Sequence, residues 1–168
     1  MKTVILINGS GGCGKSTFIK FCKVFSEQVI ELSTVDYVKE VAKNLGWDGI
    51  KTEKSRKFLH NLKITLEEWD DSPNVTVMQA IEKDTSHCIF FVNVREIEGI
   101  RRLSKIFKQM EDTKCYTVLV KNPNVMQITS NEADANVDHY KYDYVIENDG
   151  TLGNLLDKAG AFLDEIMW

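Results

Sequence analysis

The sequence predicts an α/β three-layer sandwich built on a five-stranded parallel sheet. Short β-branched runs alternate with amphipathic helical stretches, which is the pattern of parallel strands joined by right-handed crossovers. The first strand opens directly into a glycine-rich loop followed by a helix. The second and third strands are separated by residues 33–88, mostly of helical periodicity and longer than a single crossover helix requires.

The first strand, Thr3–Asn8, is an apolar run rich in β-branched residues. It leads into Gly9-Ser10-Gly11-Gly12-Cys13-Gly14-Lys15-Ser16, which fits G-x-x-x-x-G-K-S/T, the phosphate-binding P-loop, without a mismatch. The glycines let the backbone curl round an anion in conformations that a β-carbon forbids. Successive N–H groups form an anion nest, and the next helix adds its positive N-terminal end. Lys15 is placed to reach the β- and γ-phosphates of a nucleoside triphosphate, and the Ser16 hydroxyl to coordinate Mg2+. The expected nucleotide contacts are Gly9, Gly11, Gly12, Cys13, Gly14, Lys15, Ser16 and Thr17. Ser16–Phe25 reads as an amphipathic helix leading out. A glycine-rich turn that matches by chance lacks this strand–loop–helix context.

Val29–Leu32 is the second strand, and Thr34–Leu45 and Glu53–Trp69 show helical spacing of apolar residues. Pro73-Asn74 starts a further helix carrying Val77, Met78 and Ile81 on one side. Residues 34–84 thus form a helical insertion large enough to be a substrate-binding lobe within a single domain, 1–168. The remaining strands are Ile89–Val94, Tyr116–Lys121 and Tyr142–Glu147, with helices at Arg95–Glu111 and Leu152–Met167. Asn122–His139 is polar and irregular, as lids and binding loops are. Both insertions fall at the carboxyl ends of strands, where open α/β sheets bind ligands.

Composition is that of an ordinary globular domain, 43% hydrophobic and 27% charged. The formal charge of −4 argues against a nucleic-acid polymer as partner. Cys13, Cys22, Cys88 and Cys115 have no metal-ligand spacing. Cys22, Cys88 and Cys115, in apolar segments, read as buried thiols in a reducing cytoplasm. Cys13, in the phosphate loop beside a helix N-terminus, reads either as a tolerated small residue or as a redox-active thiol. No segment has the length of a membrane span, and the apolar start is too short for a signal peptide. The expectation is a cytoplasmic monomer or homodimer.

A P-loop opening the chain, a helical insertion after strand two and a short lid after strand four resemble the nucleoside monophosphate kinase superfamily. Within it the chain resembles the deoxynucleoside monophosphate kinase-like branch, through three segments. These are Ser33-Thr34-Val35-Asp36-Tyr37-Val38-Lys39-Glu40-Val41-Ala42, the W-D-G turn and following helix from Gly46 to Leu59, and Tyr142-Asp143-Tyr144-Val145-Ile146-Glu147-Asn148-Asp149-Gly150-Thr151-Leu152. The resemblance spans nearly the whole chain. It implies a P-loop fold of the nucleotide kinase type, with ATP and Mg2+ and a small phosphorylated acceptor.

Phosphoryl transfer is mostly positioning plus charge neutralisation, so cations near the acceptor are the residues to seek. The chain has four arginines. Arg95 directly follows the third strand, where it either faces the phosphates, as the resemblance implies, or pairs with Glu98. Arg56 either grips the acceptor phosphate or is a solvated helix charge. Asp36 either contacts the acceptor or metal, or simply stabilises a helix start. Arg101 and Arg102 read as surface residues. Asp149 and Gly150 lie in the loop where related kinases hold the donor base, and Thr151 can cap the helix that follows.

Two departures from the pattern bear on rate. Asn93 stands where many P-loop enzymes carry the aspartate that organises Mg2+ through its water shell. The lid-like loop contains no arginine, and Lys121, just before it, offers a point charge in place of a fork. The reading is ATP- and Mg2+-dependent phosphoryl transfer to a (deoxy)nucleoside monophosphate. The alternatives are a kinase for another phosphorylated metabolite or coenzyme precursor, and a nucleotide-binding protein with weak or no kinase activity. Lys121-Asn122-Pro123-Asn124 does not match the N-K-x-D segment of a switch GTPase.

Overall fold

Lys2–Asn8 (β1) is the central strand of a five-stranded sheet, between Ile89–Asn93 (β3) and Thr113–Lys121 (β4). Val29–Ser33 (β2) lies outside β3, and Tyr144–Glu147 (β5) outside β4. The β1–β3, β1–β4 and β4–β5 pairs are parallel, with Ile7 opposite Asn93, Asn8 opposite Leu119 and Lys121 opposite Glu147. The computed structural model describes residues 1–125 and 137–167. Residues 126–136, most of the expected lid, lie outside the described residues.

The chain divides into two compact units, one of Met1–Glu31 with Ser86–Trp168, the other Leu32–Thr85. In the first, the helices are Lys15–Phe25 (α1), Ile97–Gln109 (α5) and Leu152–Met167 (α6). Val4, Ile5, Leu6 and Ile7 of β1 are all fully buried, because a parallel strand is covered on both faces and reads as an unbroken apolar run. Alternation then assigns the faces. Ile5, Ile7, Phe91, Val118 and Val120 join α1 and α6 in one core, where the Phe18, Phe91 and Phe162 rings lie 5.6–6.3 Å apart. Each such ring contributes about 1.5–3 kcal/mol through burial. α5 buries Ile100, Leu103 and Phe107 and packs against β4 and β1.

Several element boundaries differ from the sequence expectation, and the causes of three are visible in the hydrogen bonding. β4 begins at Thr113, because Lys2 and Thr3 pair with Thr113 and Lys114 and the lysines break the apolar run. β5 begins at Tyr144 because a side chain takes over the ladder before it. The Asp143 carboxylate accepts from the Thr117 N–H and hydroxyl, each at 2.8 Å, while the Asp143 N–H donates to the Thr117 hydroxyl at 2.9 Å. α5 begins at Ile97 because Val94 donates to the Ile7 carbonyl at 3.1 Å, keeping the chain extended past β3.

The second unit comprises Asp36–Asn44 (α2), Glu53–Trp69 (α3) and Ser72–Lys83 (α4), which pack on one another. The W-D-G turn is closed by Trp47 Nε1 donating to the Ile50 carbonyl at 3.2 Å. Thr52 and Ser55 then form a reciprocal capping box at 3.1 and 2.8 Å, which starts α3. Buried Lys63 pairs with Glu67 at 3.3 Å. Asn74 donates to Glu67 and, at 2.7 Å, to Asp71, fixing the sharp α3–α4 turn. Among the described residues no helix is long and apolar enough to cross a membrane.

Candidate active site

The carboxyl ends of β1, β3, β4 and β5 share one edge of the sheet. β1 sits at the switch point, with β3 on one side and β4 on the other, which is where ligands bind open α/β sheets. The glycine loop leaves β1 here. Gly9 has φ +147°, and a Cβ on it would run into the Val120 carbonyl and come within 2.6 Å of Cys13 Sγ. Gly14, at φ +103°, is the N-cap of α1 and carries no side-chain cap. An uncapped helix start of this kind offers first-turn amides to an external anion. The Lys15 ammonium folds back over the loop, donating to the carbonyls of Gly9 and, at 3.2 Å, of Ser10.

Cys13 is 1% exposed, and its thiol is part of the α1–α6 core. It can meet a ligand only through its backbone, and its N–H turns onto the Ser10 carbonyl at 3.3 Å. Ser16 is exposed, with its hydroxyl on the opening turn of α1. Among the described residues no cluster of three or more His, Cys, Asp or Glu side chains could hold a metal. Magnesium on a nucleotide needs no such cage, since it keeps several waters and takes oxygen ligands from phosphates. A solvent-facing hydroxyl beside an uncapped helix start fits that donor set.

Asn8 organises the base of the loop, a role that its sequence position did not reveal. Its Oδ1 accepts from the Gly9 N–H at 2.8 Å. Its Nδ2 donates to the Arg95 carbonyl at 3.1 Å and to Tyr142 Oη at 2.9 Å. One buried amide thus joins β1, the β3–α5 junction and the segment before β5. Burial pushes the Tyr142 phenol up to about 12, outweighing the Asn8 bond that lowers it, so it is neutral at physiological pH. Arg95 itself is exposed, and its guanidinium has no ion-pair partner among the described residues. The alternative pairing with Glu98 is absent: Glu98 bonds Arg101 at 3.2 Å.

The loop after β5 is bonded to the glycine loop as well. Asn148 Nδ2 donates to the Cys13 carbonyl at 3.0 Å, and the Asn148 N–H donates to the Lys121 carbonyl at 2.6 Å. Asp149 is exposed and held below the usual carboxylate range by its bond from Lys158, at 2.9 Å. Thr151 and Asn154 exchange three hydrogen bonds of 2.7–3.2 Å, capping α6 as expected. Lys121 is not an open cation, for it pairs with Asp138 at 2.6 Å.

Asn93 ends β3, and its Nδ2 donates to Glu31 Oε1 on β2 at 2.8 Å. The glycine loop, Arg95, Asn93 and the Asp149–Gly150 loop all belong to the first unit. Asp36 and Arg56 belong to the second. Asp36 opens α2, exposed and 3.4 Å from Lys39, and Arg56 is exposed on the first turn of α3.

No family model matches the chain, and no curated protein matches it closely. Its fold does match solved structures. The APS kinase of Mycobacterium tuberculosis, in complex with AMPPNP and APS, has a TM-score of 0.55 at 11% identity, covering 97% of this chain and 98% of that one. The dephospho-CoA kinase of Campylobacter jejuni has a TM-score of 0.53 at 18% identity, covering 98% and 97%. At these identities the likeness is one of fold, and it runs the length of the chain. The chain has the architecture of the P-loop kinases.

Proposed function

We propose that the protein transfers the γ-phosphoryl group of ATP, with Mg2+, to a small phosphorylated acceptor, a (deoxy)nucleoside monophosphate. The observation that carries this reading is the Asn8 amide, which bonds both Gly9 N–H and the Arg95 carbonyl. An arginine without an ion-pair partner is thereby held beside a glycine loop of phosphate-binding sequence. In this reading the loop amides and Lys15 bind the β- and γ-phosphates, and Ser16 holds the metal. Arg95 neutralises charge on the transferring group. Asp149 and Gly150 line the donor base, and Asp36 and Arg56 belong to the acceptor side. Magnesium, held by Ser16, would supply charge neutralisation to the phosphates. A phosphate acceptor is already ionised at neutral pH, so no general base is required.

The three sequence segments that resemble those of deoxynucleoside monophosphate kinases support a nucleotide acceptor. The names of the fold neighbours support a second reading, an acceptor that is a coenzyme precursor or another phosphorylated metabolite. A coupled ATPase assay over nucleoside and deoxynucleoside monophosphates, extended to dephospho-CoA and APS, separates the two. Turnover with one monophosphate supports the first reading, and turnover only with the extended set supports the second. Thermal stabilisation by ATP without turnover on any acceptor would leave a nucleotide-binding protein.

A further inference from the structure

Asn93 closes the third strand where an aspartate is the common choice, and an amide brings no charge to a metal site. It does bring a donor. Asn93 Nδ2 bonds Glu31 Oε1 at 2.8 Å, and Asn93 sits opposite Ile7, close before the glycine loop begins at Gly9. The carboxylate is thus carried from β2 to the end of β3 next to that loop. Glu31 is half-buried, which strengthens its electrostatics without excluding water. A carboxylate has about four lone-pair sites, so one amide donor leaves most of its accepting capacity for water.

Three other carboxylates along this edge are committed or remote. Asp138 is paired with Lys121, and Asp149 with Lys158. Glu147 lies on the edge strand β5, separated from β1 by β4. We propose that Glu31, oriented by Asn93, supplies the carboxylate that faces the water shell of the nucleotide-bound divalent cation. This rests on the reading of the glycine loop as a metal–nucleotide site. A hard cation that retains its waters presents their hydrogens outward, and a negative acceptor stabilises them through charge-assisted bonds. Asn93 is then a positioning residue, and the charge comes from the neighbouring strand.

The test uses fluorescent mant-ATP titrated with and without Mg2+, together with Mn2+ binding followed by electron paramagnetic resonance. Glu31→Gln keeps an acceptor for the Asn93 amide and removes only the charge. The expected result is an unchanged melting temperature, unchanged metal-free mant-ATP affinity, and Mn2+ affinity in the nucleotide complex lower by about tenfold. The double variant Glu31→Gln/Asn93→Asp exchanges amide and carboxylate across the same bond, and recovers most of that affinity. Wild-type Mn2+ affinity in Glu31→Gln overturns the proposal, as does a folded double variant without recovery. Wild-type protein that binds no mant-ATP overturns the nucleotide-site reading and this proposal with it.

Discussion

The side-chain amide of Asn148 donates to the carbonyl oxygen of Cys13 at 3.0 Å, so the loop after β5 is bonded directly to the loop after β1. Gly14 is shaped by the same contact, since a Cβ there would collide with the Asn148 amide nitrogen. The segment expected to hold a donor base and the segment expected to hold its phosphates are therefore one assembly. Asn148→Ala removes a bond that contributes about 0.5–1.5 kcal/mol. If that bond holds the loop in its binding shape, mant-ATP affinity falls about three- to tenfold. Affinity equal to wild type in the folded variant would show that the contact serves stability alone.

Asn8 satisfies three groups with one side chain. Asn8→Ala leaves the Gly9 N–H, the Arg95 carbonyl and Tyr142 Oη without that partner at a buried position. A loss of about 2–4 kcal/mol follows, since a stranded buried polar group costs about 1–3 kcal/mol and a void is added. Tyr142→Phe removes one bond and leaves the Asn8 amide its Arg95 acceptor, so it costs about 1 kcal/mol. Urea denaturation of both single variants and the double variant checks the coupling. The double variant should be less destabilised than the sum of the singles.

Arg95 is exposed with no ion-pair partner among the described residues, so its removal disturbs no internal contact. Arg95→Ala should leave the melting temperature within about 1 °C of wild type, as surface substitutions do. It should lower kcat about 10²–10³-fold, the loss usual for one pre-organised charge-stabilising donor. Arg95→Lys restores the charge but not the fork, and should recover only part of the rate. A full rate in Arg95→Ala would remove the residue from the proposed mechanism.

The parts of this site that could be read from the sequence are those whose signal is local. Lys15 and Ser16 follow their glycines within one motif, and β1 announces itself as an unbroken apolar run before them. Asn8 and Asn148 carry no such signal, because their partners Tyr142 and Cys13 lie 134 and 135 residues away in sequence. Glu31 is one polar residue within a short strand, and its partner Asn93 stands where an aspartate is common. Only the placing of β2 beside β3 joins the two. Tyr142 was expected in the last strand because Tyr142–Glu147 is a plausible β run. The Asp143 side chain displaces the ladder there, and residue propensities do not report that.

Stability should fall as the solution is made alkaline, and the buried acids fix where. Burial pushes the Cys22 thiol from its ordinary 9.0 up to about 12. It pushes the Cys115 thiol up to about 11, against the lowering influence of Lys108. Below about pH 9 both thiols hold their protons in the folded and the unfolded chain, so the full stability is present. Above it the unfolded chain releases protons that the folded chain retains, and stability drops until the folded thiols also ionise. Each retained proton contributes a slope of about 1.4 kcal/mol per pH unit, and Tyr142 adds a third above about pH 10. Urea denaturation at pH 8, 9 and 10 under reducing conditions should show a flat stretch followed by a decline. Cys22→Ala lowers stability at every pH through its cavity but should make the decline between pH 9 and 10 shallower. An equally steep decline in that variant would mean that Cys22 is not one of the groups responsible.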